Sequence, residues 1–309
     1  MIYTVTLNPA LDKTVHIPNF EVDAVNRITE LRRDAGGKGI NVSKVIAQLG
    51  GTSEAVAILA GGTGDWIRGA LAEAGIHVTA YAAEGATRTN LKVVDPVNNT
   101  HTDINEPGAQ VTGAMLEELL DVLVEGIVDG DIVVLSGSLP AGVDPATYGA
   151  WTRVLRSEGV RVYLDADGEA LRRGLEAKPF FAKPNDHELS ELVGRKLDGL
   201  EDIACAAREL VGEGIGRVVV SMGGKGAVVA TPDEVWHASS VEVLVGSTVG
   251  AGDAVVAALA YADACGLPLE DTMRLAMATG AANVMESGTQ AAERSVVDSL
   301  IDRVELTRL

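Results

Sequence analysis

Short apolar runs alternate with longer amphipathic segments along most of the chain. The runs are rich in β-branched residues, several are apolar on both faces, and they predict strands at 2–7, 55–59, 131–135, 161–164 and 217–221. Apolar residues at helical spacing predict helices at 41–49, 65–74, 113–124, 145–157, 185–193, 201–211, 252–264 and 269–285. Strands that are apolar on both faces are typical of a parallel sheet covered by helices, so the pattern predicts a layered α/β fold.

Two stretches, 13–33 and 87–104, break this alternation. In the second, polar and apolar residues alternate on both sides of a turn rich in Pro and Asn at 95–99, which is typical of a hairpin. We expect strands from about 12–35 and 86–106 to form a small β-sheet lid outside the main sheet. With 309 residues, of which 47% are hydrophobic and 22% charged, the chain fits a single domain over 1–309.

Charge narrows the choice of partners. The 25 basic and 44 acidic residues give a net charge of −19, which argues against nucleic acid or an anionic membrane as a partner. Any anionic ligand must therefore meet a local group of cations. The first residues lack a basic leader, no apolar stretch is long enough to span a membrane, and the two cysteines form no C-x-x-C pair, so the sequence predicts a cytoplasmic protein without a zinc or disulfide framework.

A glycine-rich segment at 34–43 precedes the first predicted helix. Its glycines surround Lys38, and Asn41 follows within one helical turn. Such a loop can bring backbone N–H groups and one ammonium to a polyoxygenated ligand. It is not a Walker A loop, because Gly39 follows Lys38 where that motif has Ser or Thr. By itself, the segment fits a glycine-rich turn with a solvated lysine equally well.

A second segment of small residues opens the long apolar helix predicted at 252–264. Backbone amides of Gly250, Ala251 and Gly252 could hold a phosphoryl group in transfer, and Asp253 could accept a proton from a hydroxyl. Asp at a helix start is also a common cap without any chemistry. The segment alone favours the cap.

Asn185 and Glu188 lie three residues apart at the start of another predicted helix. They could order Mg²⁺ and its waters, or form a capping box, and the spacing fits both. Further along, Ser221, Gly223 and Gly226 belong to a glycine-rich connection between two strands. That connection could let a nucleotide approach the backbone, or it could be a plain hairpin turn.

Three further residues are candidates for binding a substrate. Asp12 follows the first strand, at the edge where open α/β sheets bind ligands, and could accept hydrogen bonds from sugar hydroxyls or simply form a turn. Arg27 and Arg88 fall in the predicted lid. With Lys38 they could supply the cations that an anionic substrate needs, although each separately is typical of a solvated surface. The five histidines show no metal-ligand spacing, and no Gly-x-Ser-x-Gly elbow is present, so hydrolase and zinc-enzyme interpretations lose support.

Five strings stand in a specific order along the chain: Asn-Pro-x-x-Asp, Gly-Gly-Lys-Gly-Ile-Asn-Val, Ser-Gly-Ser-Leu-Pro, Lys-Pro-Asn-x-x-Glu and Thr-Val-Gly-Ala-Gly-Asp. In this order they resemble the phosphofructokinase B group of ribokinase-like sugar kinases, and the likeness spans nearly the whole sequence. The resemblance implies a three-layer α/β/α domain with a mainly parallel sheet and a small β-sheet lid. It also implies ATP, Mg²⁺ and in-line phosphoryl transfer to a sugar hydroxyl, and it leaves the participation of a monovalent cation open.

The resemblance also implies a role for each candidate residue. Asp253 would be the base, with Gly250, Ala251 and Gly252 as an anion hole. Asn185 and Glu188 would order the Mg²⁺ region, and the nucleotide would lie along Lys183, Ser221, Gly223 and Gly226. Asp12, Gly37 and Asn41 would bind sugar hydroxyls, with Lys38, Arg27 and Arg88 near a substrate phosphate. Lid strands in such kinases often mediate a homodimer, so a homodimer through the lid is expected.

The sequence bears on the substrate too. The glycine-rich segment and the strings at 87–92, 103–108 and 247–250 look most like those of group members that convert fructose 1-phosphate to fructose 1,6-bisphosphate. Members acting on tagatose 6-phosphate or fructose 6-phosphate are the alternatives. A kinase for a non-phosphorylated sugar would not need cations in the lid, and a non-catalytic sugar sensor would have little use for Asp253. A dinucleotide oxidoreductase would need Gly-x-Gly-x-x-Gly after the first strand, where the chain has Asn8 and Pro9.

Overall fold

A ten-stranded sheet forms the centre of the computed structural model, which describes all residues from 1 to 309. Its strands are, in chain order, β1 (Ile2–Thr6), β4 (Glu54–Leu59), β5 (His77–Ala82), β8 (Ile132–Ser136), β9 (Arg161–Asp165), β10 (Phe181–Ala182), β11 (Arg217–Ser221), β12 (Ala227–Ala230), β13 (Val235–Ala238) and β14 (Leu306–Arg308). Their spatial order is β14-β13-β12-β11-β10-β9-β8-β1-β4-β5. The pairs from β11 to β5 are parallel, and β12, β13 and β14 add an antiparallel edge.

A separate four-stranded sheet is built from two distant parts of the chain. It contains β2 (Ala10–His16), β3 (Glu30–Gly36), β6 (Arg88–Asp95) and β7 (Thr100–Asn105), in the order β3-β2-β6-β7. We call it the small sheet. The parallel register of β2 and β6 places Ala10 opposite Arg88 and Asp12 opposite Asn90, so residues far apart in sequence become neighbours where the two central strands of the small sheet begin.

Ten α-helices accompany the strands. They are α1 (Lys38–Gln48), α2 (Gly61–Glu73), α3 (Gly113–Gly126), α4 (Thr147–Ser157), α5 (Gly168–Leu175), α6 (Asp186–Val193), α7 (Leu200–Gly212), α8 (Ala251–Ala264), α9 (Leu269–Met285) and α10 (Arg294–Ile301). None of them is long and apolar enough to cross a bilayer.

The helices cover both faces of the ten-stranded sheet. One core joins the sheet to α3, α4, α5, α6 and α7, and the other joins it to α1, α8, α9 and α10. Along β8 the side chains alternate between them, because Val133 and Leu135 belong to the first core and Ile132 and Val134 to the second. This arrangement confirms the predicted three-layer α/β/α fold with a mainly parallel sheet.

The predicted elements differ from the observed ones mainly at glycine-rich helix starts and at the edges of the sheet. Helix α1 begins at Lys38 and α2 at Gly61, both earlier than their apolar periodicity indicates, because glycines of low helix propensity open each helix. The strand β5 went unpredicted because it is a partly exposed edge strand with mixed polarity. The short elements β10, β13, β14, α5 and α10 were also missed.

Candidate active site

Polar side chains gather where the parallel strands of the ten-stranded sheet end and α1 and α8 begin. Asn8 follows β1, Gly137 follows β8, Asp165 ends β9 and Lys183 follows β10. Lys38 is the first residue of α1, and its side chain packs beside the backbone of Gly137. The carboxyl ends of parallel strands are where open α/β sheets bind ligands, so this edge is the candidate active site.

Asp253 lies in the first turn of α8 and is only 7% exposed. Asn41 Nδ2 donates a hydrogen bond to Asp253 Oδ2 at 2.8 Å. The other oxygen, Oδ1, accepts no hydrogen bond and is not among the fully buried polar atoms, so it reaches solvent. Burial and the negative charge of Asp165 raise the pKa of Asp253 to about 6, against the opposing influence of Lys38 and Asn41. The carboxylate is therefore more basic than an ordinary aspartate and has one oxygen free to take a proton.

The backbone at the start of α8 presents unpaired donors. Gly250 adopts the left-handed region with φ of 81° and turns the chain into the helix. The N–H groups of Gly250, Gly252 and Asp253 donate no hydrogen bond, whereas Ala251 N donates to Thr248 O at 3.4 Å. These donors lie at the positive end of the helix dipole, where they can stabilise a bound anion.

Asp165 links the two lysines of the site. Its Oδ1 accepts from Lys38 Nζ at 3.3 Å and from Lys183 Nζ at 3.4 Å. The residue is 2% exposed, and although burial opposes ionisation, the two ammonium groups lower its pKa. Burial likewise lowers the pKa of Lys38, but Asp165 and Asp253 outweigh it and raise that pKa overall. Lys38 therefore carries positive charge, and Lys183 Nζ lies close to the backbone of Gly252.

The small sheet contributes Asp12 and Arg88 to the site. Asp12 Oδ1 accepts from Asn90 Nδ2 at 3.0 Å, and burial raises the pKa of Asp12. A Cβ at Gly36 would lie 2.1 Å from Asp12 Oδ2, so glycine is required there for the carboxylate to fit. Arg88 Nη2 donates to Asn8 O at 3.2 Å, and its Nε is buried without a partner. Arg88 Nη1 donates no hydrogen bond and is not among the buried unpaired atoms, so it is the donor that Arg88 retains for a ligand.

Arg27 does not join these residues within the chain. It is exposed on the connection between β2 and β3. The surface depression that it lines consists of residues of that same connection, namely Ile17, Pro18, Asn19, Glu21, Ala24, Val25, Asn26 and Thr29. Of the two arginines predicted to bind substrate, the structure brings only Arg88 to the other predicted substrate residues.

Asn185 and Glu188 form the capping box of α6. Glu188 N donates to Asn185 Oδ1 at 2.8 Å, and Asn185 N donates to Glu188 Oε2 at 2.9 Å. Glu188 Oε1 accepts no hydrogen bond, and such a free carboxylate oxygen is the kind of donor that Mg²⁺ prefers. The two sequence interpretations are therefore compatible, because the cap leaves an oxygen available.

The predicted nucleotide loop is a hairpin connection beside this cap. Ser221, at the end of β11, pairs with Asn185 in an isolated parallel bridge. A single 3₁₀ turn, Gly223–Lys225, then leads through Gly226 into β12. The bridge places Ser221 next to the start of α6, and the glycines follow it in the hairpin, so here too both sequence interpretations are compatible.

Sequence reasoning missed Asp165, Lys44 and Asn90. For Asp165 a signal existed, since it directly follows the strand predicted at 161–164 and so lies at the ligand-binding edge of the sheet. For Lys44 and Asn90 no local pattern distinguishes a site residue from a surface residue of a helix or strand.

Comparisons with known proteins agree with this architecture. Residues 5–295 match the family described as pfkB family carbohydrate kinase. The 1-phosphofructokinase of Rhodobacter capsulatus is 43% identical over 278 residues, which cover 90% of this chain and 88% of that protein. The 1-phosphofructokinase of Bacillus subtilis is 36% identical over 311 residues and covers both chains fully.

Solved structures give the same result. Phosphofructokinase-2 from Escherichia coli in complex with fructose-6-phosphate superposes with a TM-score of 0.92 at 32% identity over 98% of both chains. The same protein has been solved in complex with potassium and in a tetrameric inhibited form, with TM-scores of 0.93 and 0.90. The chain belongs to the pfkB family of carbohydrate kinases, as the resemblance of its motifs implied.

Proposed function

We propose that this protein transfers the γ-phosphoryl group of ATP to a fructose phosphate, and that fructose 1-phosphate is its substrate and fructose 1,6-bisphosphate its product. The observation that carries the proposal is the buried Asp253 carboxylate, whose Oδ1 is free beside the unpaired N–H groups of α8. The names of the similar proteins from Rhodobacter capsulatus and Bacillus subtilis support fructose 1-phosphate. The fructose-6-phosphate complex of the Escherichia coli protein supports the alternative substrate of the same class.

Asp253 acts as general base in this proposal. The acceptor hydroxyl of the sugar gives its proton to Asp253 Oδ1 while its oxygen forms the bond to the γ-phosphorus, and the bond from that phosphorus to the ADP oxygen breaks. A pKa of about 6 leaves the carboxylate mostly deprotonated at pH 7 yet able to take the proton. In-line transfer needs little else from the protein besides positioning and charge stabilisation.

The charge stabilisation comes from backbone and lysine donors. The N–H groups of Gly250 and Gly252 face a transferring phosphoryl group, and the ammonium groups of Lys38 and Lys183, both held by Asp165, add positive charge on either side. Mg²⁺, when bound, neutralises the nucleotide phosphates. Asn185 and Glu188 would hold it, with Glu188 Oε1 acting through a water molecule, since that oxygen accepts no hydrogen bond within the protein.

The cations near the small sheet select a sugar that already carries phosphate. Arg88 retains an unpartnered Nη1, and Lys38 packs beside Gly137 in the loop that follows β8. Asp12 and Asn41 would bind the sugar hydroxyls, because both present polar atoms at the same edge. In so acidic a chain, a local pair of cations is what a sugar phosphate requires.

A coupled ADP-release assay across fructose 1-phosphate, fructose 6-phosphate and tagatose 6-phosphate tests the substrate. We expect the highest kcat/KM with fructose 1-phosphate, and a preference for either of the others would replace it. Arg88→Ala should raise the KM for the sugar phosphate by roughly 10- to 100-fold, the loss expected for a hydrogen bond to a charged group, with little change in the KM for ATP. The control is Arg68→Ala, an exposed arginine on α2 paired with Asp65. Equal effects of Arg88→Ala on both KM values would contradict the assignment.

A monovalent cation is a further part of the proposal. The potassium complex of the Escherichia coli protein supports it. In this chain, the carbonyl oxygens of Met285 and Glu286 lie close to the backbone of Gly246, just before the start of α8. Oxygen donors of this kind suit K⁺. The turnover should therefore be higher in potassium than in choline chloride at equal ionic strength, and equal rates would remove the cation from the proposal.

We also propose a cytoplasmic homodimer that forms through the small sheet. The ATP that the reaction consumes supports the location, and the exposed aliphatic side chains around that sheet, Val22, Val25, Ile28, Leu31 and Ile104, support the interface. Sedimentation should give twice the mass of the 32.1 kDa chain. Ile28→Asp should shift it to the monomer, and Val128→Asp, an exposed site before β8, should not. A monomeric wild type would refute the dimer, and a larger mass would favour a tetramer like that of the Escherichia coli protein.

A further inference from the structure

Lys44 donates three hydrogen bonds at the back of the candidate site. It lies on α1, one turn after Asn41. Its Nζ donates to Ala35 O at 3.0 Å, to Asn41 Oδ1 at 3.4 Å and to Thr289 O at 2.6 Å. An ammonium has three N–H donors, so every donor of Lys44 is used within the protein and none is left for a substrate. Its role must therefore be exerted through the residues that it holds.

The most consequential of these contacts fixes the orientation of the Asn41 amide. A side-chain amide can occupy nearly the same space in two orientations that exchange its oxygen and its NH₂ group. With Lys44 donating to Oδ1, the NH₂ group points to Asp253 Oδ2 and donates to it at 2.8 Å. In the reversed orientation, the oxygen would face a carboxylate and the NH₂ group an ammonium, and both contacts would be repulsive.

Lys44 also connects elements that are far apart in sequence. Ala35 belongs to β3 of the small sheet, and Thr289 lies between α9 and α10. The contacts with Ala35 and Thr289 therefore hold the small sheet and the α9–α10 connection against α1 at the level of Asn41. Because Lys44 is fixed from three sides, it offers Asn41 a rigid donor.

We propose that Lys44 is a positioning residue that locks Asn41 as a hydrogen-bond donor to Asp253. The proposal deepens the proposed function and rests on it for the role of Asp253 as base. Lys44 itself does not contact the reacting atoms. Its contribution is to keep Asp253 Oδ2 occupied, so that Oδ1 is the oxygen presented to the acceptor hydroxyl.

The charges around the two residues determine the expected pH dependence. Asp253 is faced by Lys38, Asn41 and Lys44 from α1, by Asp165 from β9 and by Lys183 after β10. The ammonium of Lys44 lies in turn among the charges of Asp34, Asp12, Asp253 and Arg32.

Loss of Lys44 should change the pKa of Asp253 through two effects that act in the same direction. It removes a positive charge that favours the ionised carboxylate, and it releases the Asn41 amide, whose hydrogen bond lowers the pKa of Asp253. Both changes raise that pKa. The acid limb of the kcat profile should therefore move to higher pH.

A double-mutant cycle in the full chain tests the proposal. Lys44→Met should lower kcat by up to about 100-fold, the cost of a misplaced catalytic group, and should move the acid limb of kcat to higher pH. In an Asn41→Ala background, the same substitution should lower kcat little further at a pH above the acid limb, because the amide that Lys44 orients is gone. Lys44→Gln, which can still donate to Asn41 Oδ1, should recover part of kcat. Lys196→Met, an exposed lysine paired with Asp198, is the matched control and should change neither quantity.

The outcomes separate this proposal from its alternatives. Equal losses of kcat from Lys44→Met in both backgrounds, or an unmoved acid limb, would show that Lys44 only stabilises the fold. If Lys44→Met does not fold, as judged by circular dichroism, Lys44→Gln and Lys44→Arg carry the same cycle. The assays use whichever ketohexose phosphate the wild type turns over best, so a wrong sugar leaves the test intact. A wrong base would appear separately, as near-normal turnover of Asp253→Asn.

Discussion

Helix α8 carries an aspartate with a buried side chain near each end, and the two have opposite surroundings. Asp263, in the last turn, accepts from Arg217 Nη1 at 2.9 Å and 3.1 Å and also from the hydroxyl of Tyr163. Asp253, in the first turn, accepts only the amide of Asn41. Two residues of the same type on one helix thus differ in whether a cation bonds them directly.

The helix itself explains part of this difference. The last turn of a helix carries partial negative charge, which disfavours a carboxylate, so Asp263 needs the guanidinium of Arg217. The first turn favours a carboxylate, so Asp253 can remain without a direct cation. Its neighbouring lysines bond to Asp165 instead. A carboxylate with all its partners in place stabilises the fold, whereas one with a free oxygen and a raised pKa can accept a proton.

Replacing each aspartate with asparagine should give the largest difference between Asp253 and Asp263 in turnover. Asp253→Asn removes the proposed base and should lower kcat by about 10²- to 10⁴-fold, with both KM values nearly unchanged. Asp263→Asn lies at the other end of the same helix and should retain nearly all of its turnover. Steady-state kinetics at pH 7.5 measures both. Near-normal turnover in Asp253→Asn would remove the distinction between the two residues.

For stability the order is reversed, and Asp263→Asn should destabilise the protein far more than Asp253→Asn does. Asp263→Asn leaves Arg217 buried without its counter-ion, since the two side chains are only 6% and 13% exposed. The free energy of unfolding should fall by about 3–5 kcal/mol, as measured by urea denaturation. Asp65→Asn, which breaks the exposed pair with Arg68, is the control and should cost about 1 kcal/mol or less. A loss that small for Asp263→Asn would mean that its ion pair is not structural.

Asp253→Asn should instead stabilise the protein above pH 6. The pKa of Asp253 is raised to about 6 in the folded chain, whereas it is about 3.9 in an unfolded one. At a pH between these two pKa values, the folded state binds one more proton than the unfolded state. The wild type therefore loses stability as the pH rises from about 4 to about 6. Asparagine does not titrate, and the variant escapes this loss.

The size of that effect follows from the pKa difference. A difference of about two units between the folded and unfolded pKa values corresponds to about 3 kcal/mol of unfolding free energy. Unfolding free energies of both proteins at pH 4, 5, 6 and 7.5 measure it, and the variant should gain on the wild type with each step up to about pH 7. A constant difference across the range would show that Asp253 has an ordinary pKa, which would weaken its contrast with Asp263.

Local patterns in the sequence predict much of this molecule. Periodicity locates the strands and helices of the three-layer fold, because burial on one or two faces determines which positions are apolar. The ordered strings identify the kinase family and single out Asp253 and Lys38. Both predictions depend on residues that are close together in the chain, where spacing carries information.

The contacts that distinguish the two aspartates are not predictable in this way. Asn41 and Asp253 are 212 residues apart, and Lys38 and Asp165 are 127 apart. Nothing near Asp263 in the sequence indicates that its carboxylate will pair with Arg217, which lies 46 residues away in β11. Such pairs depend on strand order, which a single sequence does not specify. Arg27 shows the limit of local patterns in another way, since it falls in the expected segment but lies away from the other site residues within the chain.

Arg161 allows the smallest and sharpest test of the comparison. It lies near Asp263 but donates to backbone oxygens, Asp263 O at 3.5 Å and Gly130 O at 3.3 Å, and its guanidinium stands 5.7 Å from the ring centre of Phe180. Because it does not bond the carboxylate, Arg161→Met should cost only about 1 kcal/mol of unfolding free energy, against several for Arg217→Met. Its effect should also add to that of Asp263→Asn in the double variant. If Arg161→Met lowers the free energy of unfolding as much as Arg217→Met does, both arginines neutralise the negative charge at the last turn of α8. The direct ion pair with Arg217 would then not be the reason why Asp263 stabilises the fold.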